Sequence, residues 1–205
     1  MEQITLLYGT GNPAKLESVR RAVEPLGIRI LGLCDMPVKP PSVDECGNNP
    51  LDNARIKAKA YHEFYGMPVF SCDSGLYFDN VPDEIQPGVN VRRVNGKTLT
   101  DDEMTEYYSG LVKKFGRLTA RYKNAVCLIL SDGTVFESMD DDISGNPFLL
   151  TDIPHPKKVE GYPLDRISLH IGTGKYYYEL SPEDYSAEES SVDGWHDFFK
   201  KALTI

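Results

Sequence analysis

The 205-residue chain has no apolar run near the ~20 residues that a bilayer-spanning helix requires, so no membrane partner is expected. Its start, MEQITLLYGTGN, lacks the basic opening and long apolar stretch of a signal peptide, which makes the cytoplasm the default location. Cysteine is sparse: Cys34, Cys46, Cys72 and Cys127, with no two at a CxxC spacing. That argues against a zinc site or a disulfide framework and for reduced, mostly structural thiols. An excess of positive charge is also missing. Lys and Arg number 22 against 31 Asp and Glu, a net charge of −9. A broad nucleic-acid surface needs a basic footprint, so a polymeric nucleic-acid partner is not expected. A small anion held by a few local cations remains open. There is no internal repeat and no low-complexity tract. There is no GxxxxGK[ST] loop either: Gly174-Lys175 is followed by Tyr176 and lacks the distal glycine.

What is present fits an ordinary soluble protein, with 40% hydrophobic and 26% charged residues. A chain of this length supports a real core, and residues 1–205 read as one domain. Ile4 to Tyr8 is short, apolar and β-prone, and predicts a buried strand. Gly9-Thr10-Gly11-Asn12 is a turn, and Pro13 suits the first position of a helix. Leu16, Val19, Val23 and Leu26 fall on one face of that helix. A second strand is predicted over Ile28 to Leu33, and a proline-rich loop over Cys34 to Pro50. Leu51 to Tyr65 reads as a helix with Leu51, Ala54, Ala58, Tyr61 and Tyr65 inward. Val69 to Cys72 is the next strand, with Leu76 to Phe78 continuing it, then a turn-rich loop to about Lys97.

Thr100 and Glu103 form a capping box, and the helix behind it is expected to bury Met104, Tyr107 or Tyr108, Leu111 and Phe115. Arg117 to Leu130 is long and β-rich, and Ser131-Asp132-Gly133-Thr134 turns it back into Val135-Phe136 as a hairpin. Residues 140–165 carry little pattern. Strands are expected around Ile167 to Ile171 and Tyr176 to Leu180. A last helix carries Trp195, Phe198, Phe199, Ala202 and Leu203 on one side. Early alternation of strands and helices, with an antiparallel middle, predicts an α/β fold with a mixed sheet.

Four clusters could carry chemistry. A strand, a Gly-x-Gly turn and a helix present free N–H groups and a positive helix end to an anion. Here Gly9 to Asn12 form the turn and Lys15 sits in the first helical turn; a plain glycine turn with a solvated lysine is the competing reading. Asp44-Glu45-Cys46-Gly47 precedes the helix that carries Asp52-Asn53-Ala54 and Lys57. Cys72-Asp73-Ser74-Gly75-Leu76 stands at a strand end. Carboxylates at strand ends suit Mg²⁺ against phosphates, or general-base work, although turn and cap aspartates look the same in sequence. Pro87-Gly88-Val89 with Arg92 and Arg93 is the fourth, equally readable as a surface loop.

In series these residues resemble one family. Thr10-Gly11-Asn12-Pro13-Ala14-Lys15 with Glu17 resembles the TGNxxK-x-E opening of the inosine triphosphate pyrophosphatase family. Val43 to Gly47, then Asp52-Asn53-Ala54 and Lys57-Ala58, resembles its EETG and ENA..KA segment. Asp73-Ser74-Gly75-Leu76 resembles its DDSGL, with Cys72 in place of the first aspartate. Pro87-Gly88-Val89 and Arg92 resemble its PGVxSAR. The likeness covers residues 4 to 92 in the family's order.

The resemblance implies a long twisted mixed β-sheet with two α/β lobes and a central cleft, usually as a homodimer. It implies Mg²⁺-dependent hydrolysis of nucleoside triphosphates, non-standard purines such as ITP and XTP among them, to monophosphate and pyrophosphate. Thr10, Gly11, Asn12, Lys15, Lys57, Ser74 and Arg92 would then bind substrate, with Lys15 also in a catalytic role. Glu45 and Asp73 would hold the metal, or Asp73 would activate water. The second half departs from the family. Tyr162-Pro163-Leu164-Asp165 stands for its FGYDP-like block, leaving Tyr162 and Asp165 to hold the base. Tyr178-Glu179-Leu180-Ser181 resembles AELS. The family's following lysine and Ser-His-Arg are replaced by Tyr185 and Glu188-Glu189-Ser190-Ser191, and His196 reads as a helix-surface residue. This departure keeps a second expectation alive, a nucleotide-binding regulatory module of the same fold with little turnover. A structural protein has only the general acidity behind it. Asp140-Asp141-Asp142 reads as a solvated turn, and Tyr176-Tyr177-Tyr178 as alternating strand packing.

Overall fold

The computed structural model describes residues 3–186 and 192–205. In chain order its strands and helices are β1 (Thr5–Tyr8), α1 (Pro13–Val23), β2 (Arg29–Gly32), α2 (Pro50–Tyr65), β3 (Val69–Phe78), β4 (Arg93–Val94), β5 (Lys97–Thr98), α3 (Asp101–Phe115), β6 (Leu118–Ile129), β7 (Val135–Ser138), β8 (Phe148–Leu150), β9 (Ser168–His170), α4 (Pro182–Ser186) and α5 (Val192–Leu203). Seven strands share one mixed sheet in the order β2-β1-β3-β6-β8-β9, with β7 on β6. The predicted α/β class is the one observed. The chain forms two compact units. The first comprises Met1–Ser74, Lys123–Ser144 and Ser191–Ile205, and the second Gly75–Tyr122 and Gly145–Ser190.

In the first unit β1 pairs in parallel with β2 and with β3. Such strands are covered on both faces and read as continuous apolar runs, as Leu6, Leu7 and Tyr8 do. Pro13 opens α1, and the Asn12 side chain accepts a hydrogen bond from Lys15 N at 3.3 Å, capping the helix. Asn49 caps α2 by accepting from Asp52 N at 3.0 Å, and Gly66 ends it at a φ of 64°. Gly9 must be glycine, because a Cβ there would lie 2.2 Å from Ser71 Oγ and 2.5 Å from the Tyr61 ring. The core of this unit joins Leu16 and Val23 of α1 to Phe70 of β3, Val126 and Leu128 of β6, and Phe199 of α5. Phe199 is fully buried, with its ring edge-on to Phe70 at 5.3 Å.

In the second unit β6, β8 and β9 pair antiparallel. The Thr100–Glu103 capping box opens α3 as expected. Met104, Tyr108 and Leu111 are buried with Leu118, Leu150 and Ile167. Phe115, expected inward, is exposed at the last position of α3.

Several further expectations are corrected. Tyr176 to Leu180 is not a strand: Tyr177–Glu179 form a 3₁₀ turn, and only Tyr176 bridges to Leu169. Consequently Tyr176, Tyr177 and Tyr178 do not alternate as strand residues. The region to Lys97 holds a two-residue hairpin, with Asn95 and Gly96 at φ 50° and 77° between β4 and β5. β8 lies in the stretch that carries no pattern, since three residues are too few for a period to show. His196 is half-buried, its ring nitrogen hydrogen-bonded with the carbonyl of Ala22 rather than free on a helix surface. All four cysteines are free thiols, Cys72 and Cys127 buried.

Phe199→Ala should cost about 3–5 kcal/mol, the range for emptying a fully buried aromatic site. Urea unfolding of both proteins measures it. A cost below ~1 kcal/mol would mean that α5 is not anchored through this ring.

Candidate active site

The turn after β1 is built by its own side chains. Asn12 N donates to Thr10 Oγ1 at 3.2 Å, and Asn12 Oδ1 receives Lys15 N. Gly11 has open space where a side chain would stand. Pro13 has no N–H, and the N–H groups of Lys15 and Leu16 are bonded to Asn12, so what this helix start offers an anion is its partial positive charge. Lys15 lies exposed in this turn, and its ammonium has no acidic partner among the described residues. It borders a cavity of about 270 Å³ with Tyr8, Cys72, Ser74, Asn124 and Trp195.

Glu45, Lys57 and Asp73 come together in the same unit. Lys57 Nζ lies 2.8 Å from Glu45 Oε2 and 3.3 Å from Asp73 Oδ1. The lysine side chain is 11% exposed, that of Asp73 15% and that of Glu45 43%. Burial by itself would lower the Lys57 pKa. The hydrogen bond to Glu45 and the charges of Asp73 and Glu45 outweigh it and hold the value above the ordinary one. Lys57 is therefore a fixed cation across the neutral range.

A residue without an assigned role in the sequence reading completes the group. Asn53, 3% exposed, donates from Nδ2 to Asp73 Oδ2 at 2.9 Å and accepts at Oδ1 from Gly47 N at 2.8 Å. Its place four residues before Lys57 on a helix was the available signal. Asn124 was missed altogether. It accepts from Ser74 Oγ at 2.7 Å and donates to Ile143 O at 2.8 Å. A lone asparagine within a long strand pattern carries no signal of its own. Burial pushes the Cys72 thiol up to about 12, so it stays neutral where the resembling motif has an aspartate.

The carboxylates of Glu45 and Asp73 reach one common point, the Lys57 ammonium. Hard oxygen donors of this kind suit Mg²⁺, which is usually held by one or two carboxylates together with substrate phosphates. Among the described residues no group of three or more His, Cys, Asp or Glu could hold an ion alone.

The remaining predicted residues belong to the second unit. Arg92, Tyr122, Tyr162 and Asp165 border a cavity of about 220 Å³. Arg92 is engaged there, with Nη2 2.7 Å from Asp101 Oδ1 and Nη1 donating to Leu99 O at 3.1 Å. The Tyr162 ring is 51% exposed. Burial raises the Asp165 pKa, and the carboxyl has no hydrogen bond or ion pair among the described residues. Tyr122 is pushed up to about 12, by burial first and then by the charge of Asp165. Glu188-Glu189-Ser190-Ser191, where the family motif fails, lie outside the described residues.

Comparison with known proteins bears on all of this. A dITP/XTP pyrophosphatase of Rhodopseudomonas palustris is 28% identical over 181 residues, covering 86% of this chain and 81% of that one. A dITP/XTP pyrophosphatase of an Exiguobacterium species is 30% identical over 145 residues, covering 69% and 72%. The crystal structure of a nucleoside-triphosphatase / dITP/XTP pyrophosphatase from Mycobacterium abscessus superposes with a TM-score of 0.68 at 25% identity, covering 98% of this chain and 94% of that one. A HAM1 protein from Coxiella burnetii shares the fold, with a TM-score of 0.75 at 20% identity over 97% and 99% of the two chains. A sequence model of the Ham1 family matches residues 6–185, and the chain belongs to that family.

Proposed function

We propose that this chain is a Mg²⁺-dependent nucleoside triphosphate pyrophosphatase that converts non-standard purine NTP or dNTP to the monophosphate and pyrophosphate. The observation that carries the reading is the Glu45–Lys57–Asp73 cluster, in one unit with the Gly9–Asn12 turn and Lys15. Family membership and the dITP/XTP pyrophosphatases among the relatives support it. A homodimer goes with it on the strength of the resemblance, and the cytoplasm as the default location.

Lys15 and the positive end of α1 attract the phosphate oxygens. Lys57, held between Glu45 and Asp73, adds a second cation beside the phosphates and offsets the repulsion between them and the two carboxylates. Asp73 accepts the proton of a water whose oxygen attacks the α-phosphorus. The bond from that phosphorus to the bridging oxygen breaks, and the electron pair leaves on pyrophosphate. Glu45 and Asp73 would hold Mg²⁺, and the chemistry it would supply is neutralisation of the charge that builds up on the transferred and leaving groups. Ser74, held by Asn124, offers a hydroxyl to the cavity that Lys15 borders. In the second unit Tyr162 offers a stacking ring and Asp165 an acceptor for a base. Stacking tolerates any base, while the family's Lys and Ser-His-Arg are absent from the sequence.

A panel of ITP, XTP, GTP and ATP with Mg²⁺, with products identified, tests the activity. Monophosphate and pyrophosphate are expected, with a smaller ITP advantage over ATP than a full-motif relative shows. Orthophosphate as the product, or no turnover despite binding, would overturn the reading; the latter would mark a regulatory module. A several-hundredfold preference for ITP would show that other residues supply the missing donors.

Asp73→Asn keeps the shape but removes the base and a charged ligand, so turnover should fall ~10²-fold or more with the fold intact. A near-parental rate in Mg²⁺ would remove Asp73 from the chemistry. Lys15→Ala should weaken triphosphate binding and flatten the salt dependence of what remains. Equal affinity in a titration with the non-hydrolysed complex would place the phosphate site elsewhere.

A further inference from the structure

Asn53 is fixed in one orientation by what surrounds it. The Gly47 backbone N–H can only donate, so the amide oxygen must face it, which leaves the amide nitrogen facing Asp73. The side chain thus ties two separate segments to α2: the 44–47 stretch that carries Glu45, and the β3 segment that carries Asp73. Gly47 is packed so tightly that a Cβ would sit 2.5 Å from Asp52 Cβ and 2.7 Å from Asn53 Oδ1. Residues 44–48 belong to no helix or strand, and the observed anchors of this stretch to α2 are the Asn53 bond, the Lys57 bond to Glu45 and the Asp52 bond to Asn48 N.

We propose that Asn53 is a positioning residue of the active centre, setting the distance between the Glu45 and Asp73 carboxylates and orienting Asp73. This rests on the pyrophosphatase reading above. The physical division of labour is clear from the bonds. Lys57 meets Asp73 at Oδ1, and Asn53 meets it at Oδ2, so both oxygens are held and the carboxylate plane cannot rotate. The amide does this without adding charge. A second lysine would crowd out a metal ion, and a carboxylate would repel Asp73. Misplacing a reacting group by ~1 Å can cost about 10²-fold in rate, so a residue that touches no substrate is able to govern turnover.

The test uses the full chain and three variants. Asn53→Asp keeps an acceptor for Gly47 N–H but puts an anion against Asp73 Oδ2. Its kcat per folded molecule should fall about 10²-fold, the scale of a misplaced reacting group, while the KM for ITP changes far less. Asn53→Ala should lose both ties and lower the urea midpoint further than Asn53→Asp does. The exchange Asn53→Asp with Asp73→Asn rebuilds a donor–acceptor pair in reverse. It should recover the urea midpoint lost in Asn53→Asp and recover no turnover. A parental kcat in Asn53→Asp, or an exchange that leaves the midpoint unrecovered, overturns the proposal. If the parent protein itself hydrolyses no triphosphate, the pyrophosphatase reading falls, and the exchange still reports whether the amide bond to Asp73 exists.

Discussion

One ammonium between two carboxylates is the constraint on which the rest of the site depends. Asp73 is largely withdrawn from water, and Glu45 comes to the same point from a segment without regular structure. Two carboxylates at such close quarters repel each other unless a cation stands between them. Lys57 is that cation, and its raised pKa records that the attraction outweighs the cost of burying it. The same charge arrangement is what a triphosphate with a divalent ion needs: carboxylates for the ion, an ammonium for the phosphate oxygens. Polar groups as well satisfied as these are rigid, because each rotation would break a bond in a medium where unmade bonds are costly.

The fold serves this point through one face of α2. Asn53 and Lys57 are one helical turn apart and share that face. Ala54 and Ala58, both fully buried, pack with Cys127 and Ile129 of β6. Small residues there let the helix lie close to the sheet, which puts the polar side chains of positions 53 and 57 within reach of β3. A larger residue at 54 or 58 would push the helix outward and the lysine with it. β3 contributes by its length. It continues as one strand from Val69 to Phe78, so Asp73 stands mid-strand rather than at a strand end.

The second unit shows a different economy. Arg92 is spent on Asp101 and a backbone carbonyl, and Asp165 is left without a partner. A half-buried carboxyl with no hydrogen bond is costly to keep charged, and burial accordingly raises its pKa. Tyr122, whose phenol feels the charge of Asp165, is part of the same surroundings. The sequence pattern points to Tyr162 and Asp165 but not to Tyr122, because a tyrosine in a β-rich run is unremarkable.

Much of this chain is decided locally and could be read from residues alone. Pro13 and Asn12 set the start of α1, Asn49 with Pro50 and Gly66 bound α2, and the Thr100–Glu103 box opens α3; each acts through its own backbone within a turn. The order of the four motifs likewise sufficed for the family. Three-residue strands such as β8 exist only because partners on both sides supply their hydrogen bonds, and the Tyr176–Leu180 segment bends into a turn despite its β-prone residues. The role of Asn53 belongs to this second kind. It depends on Gly47 and Asp73 arriving from six residues upstream and twenty residues downstream. Local propensity governs conformations that neighbouring residues can satisfy by themselves. Long-range packing governs whichever polar group must find its partner across the fold.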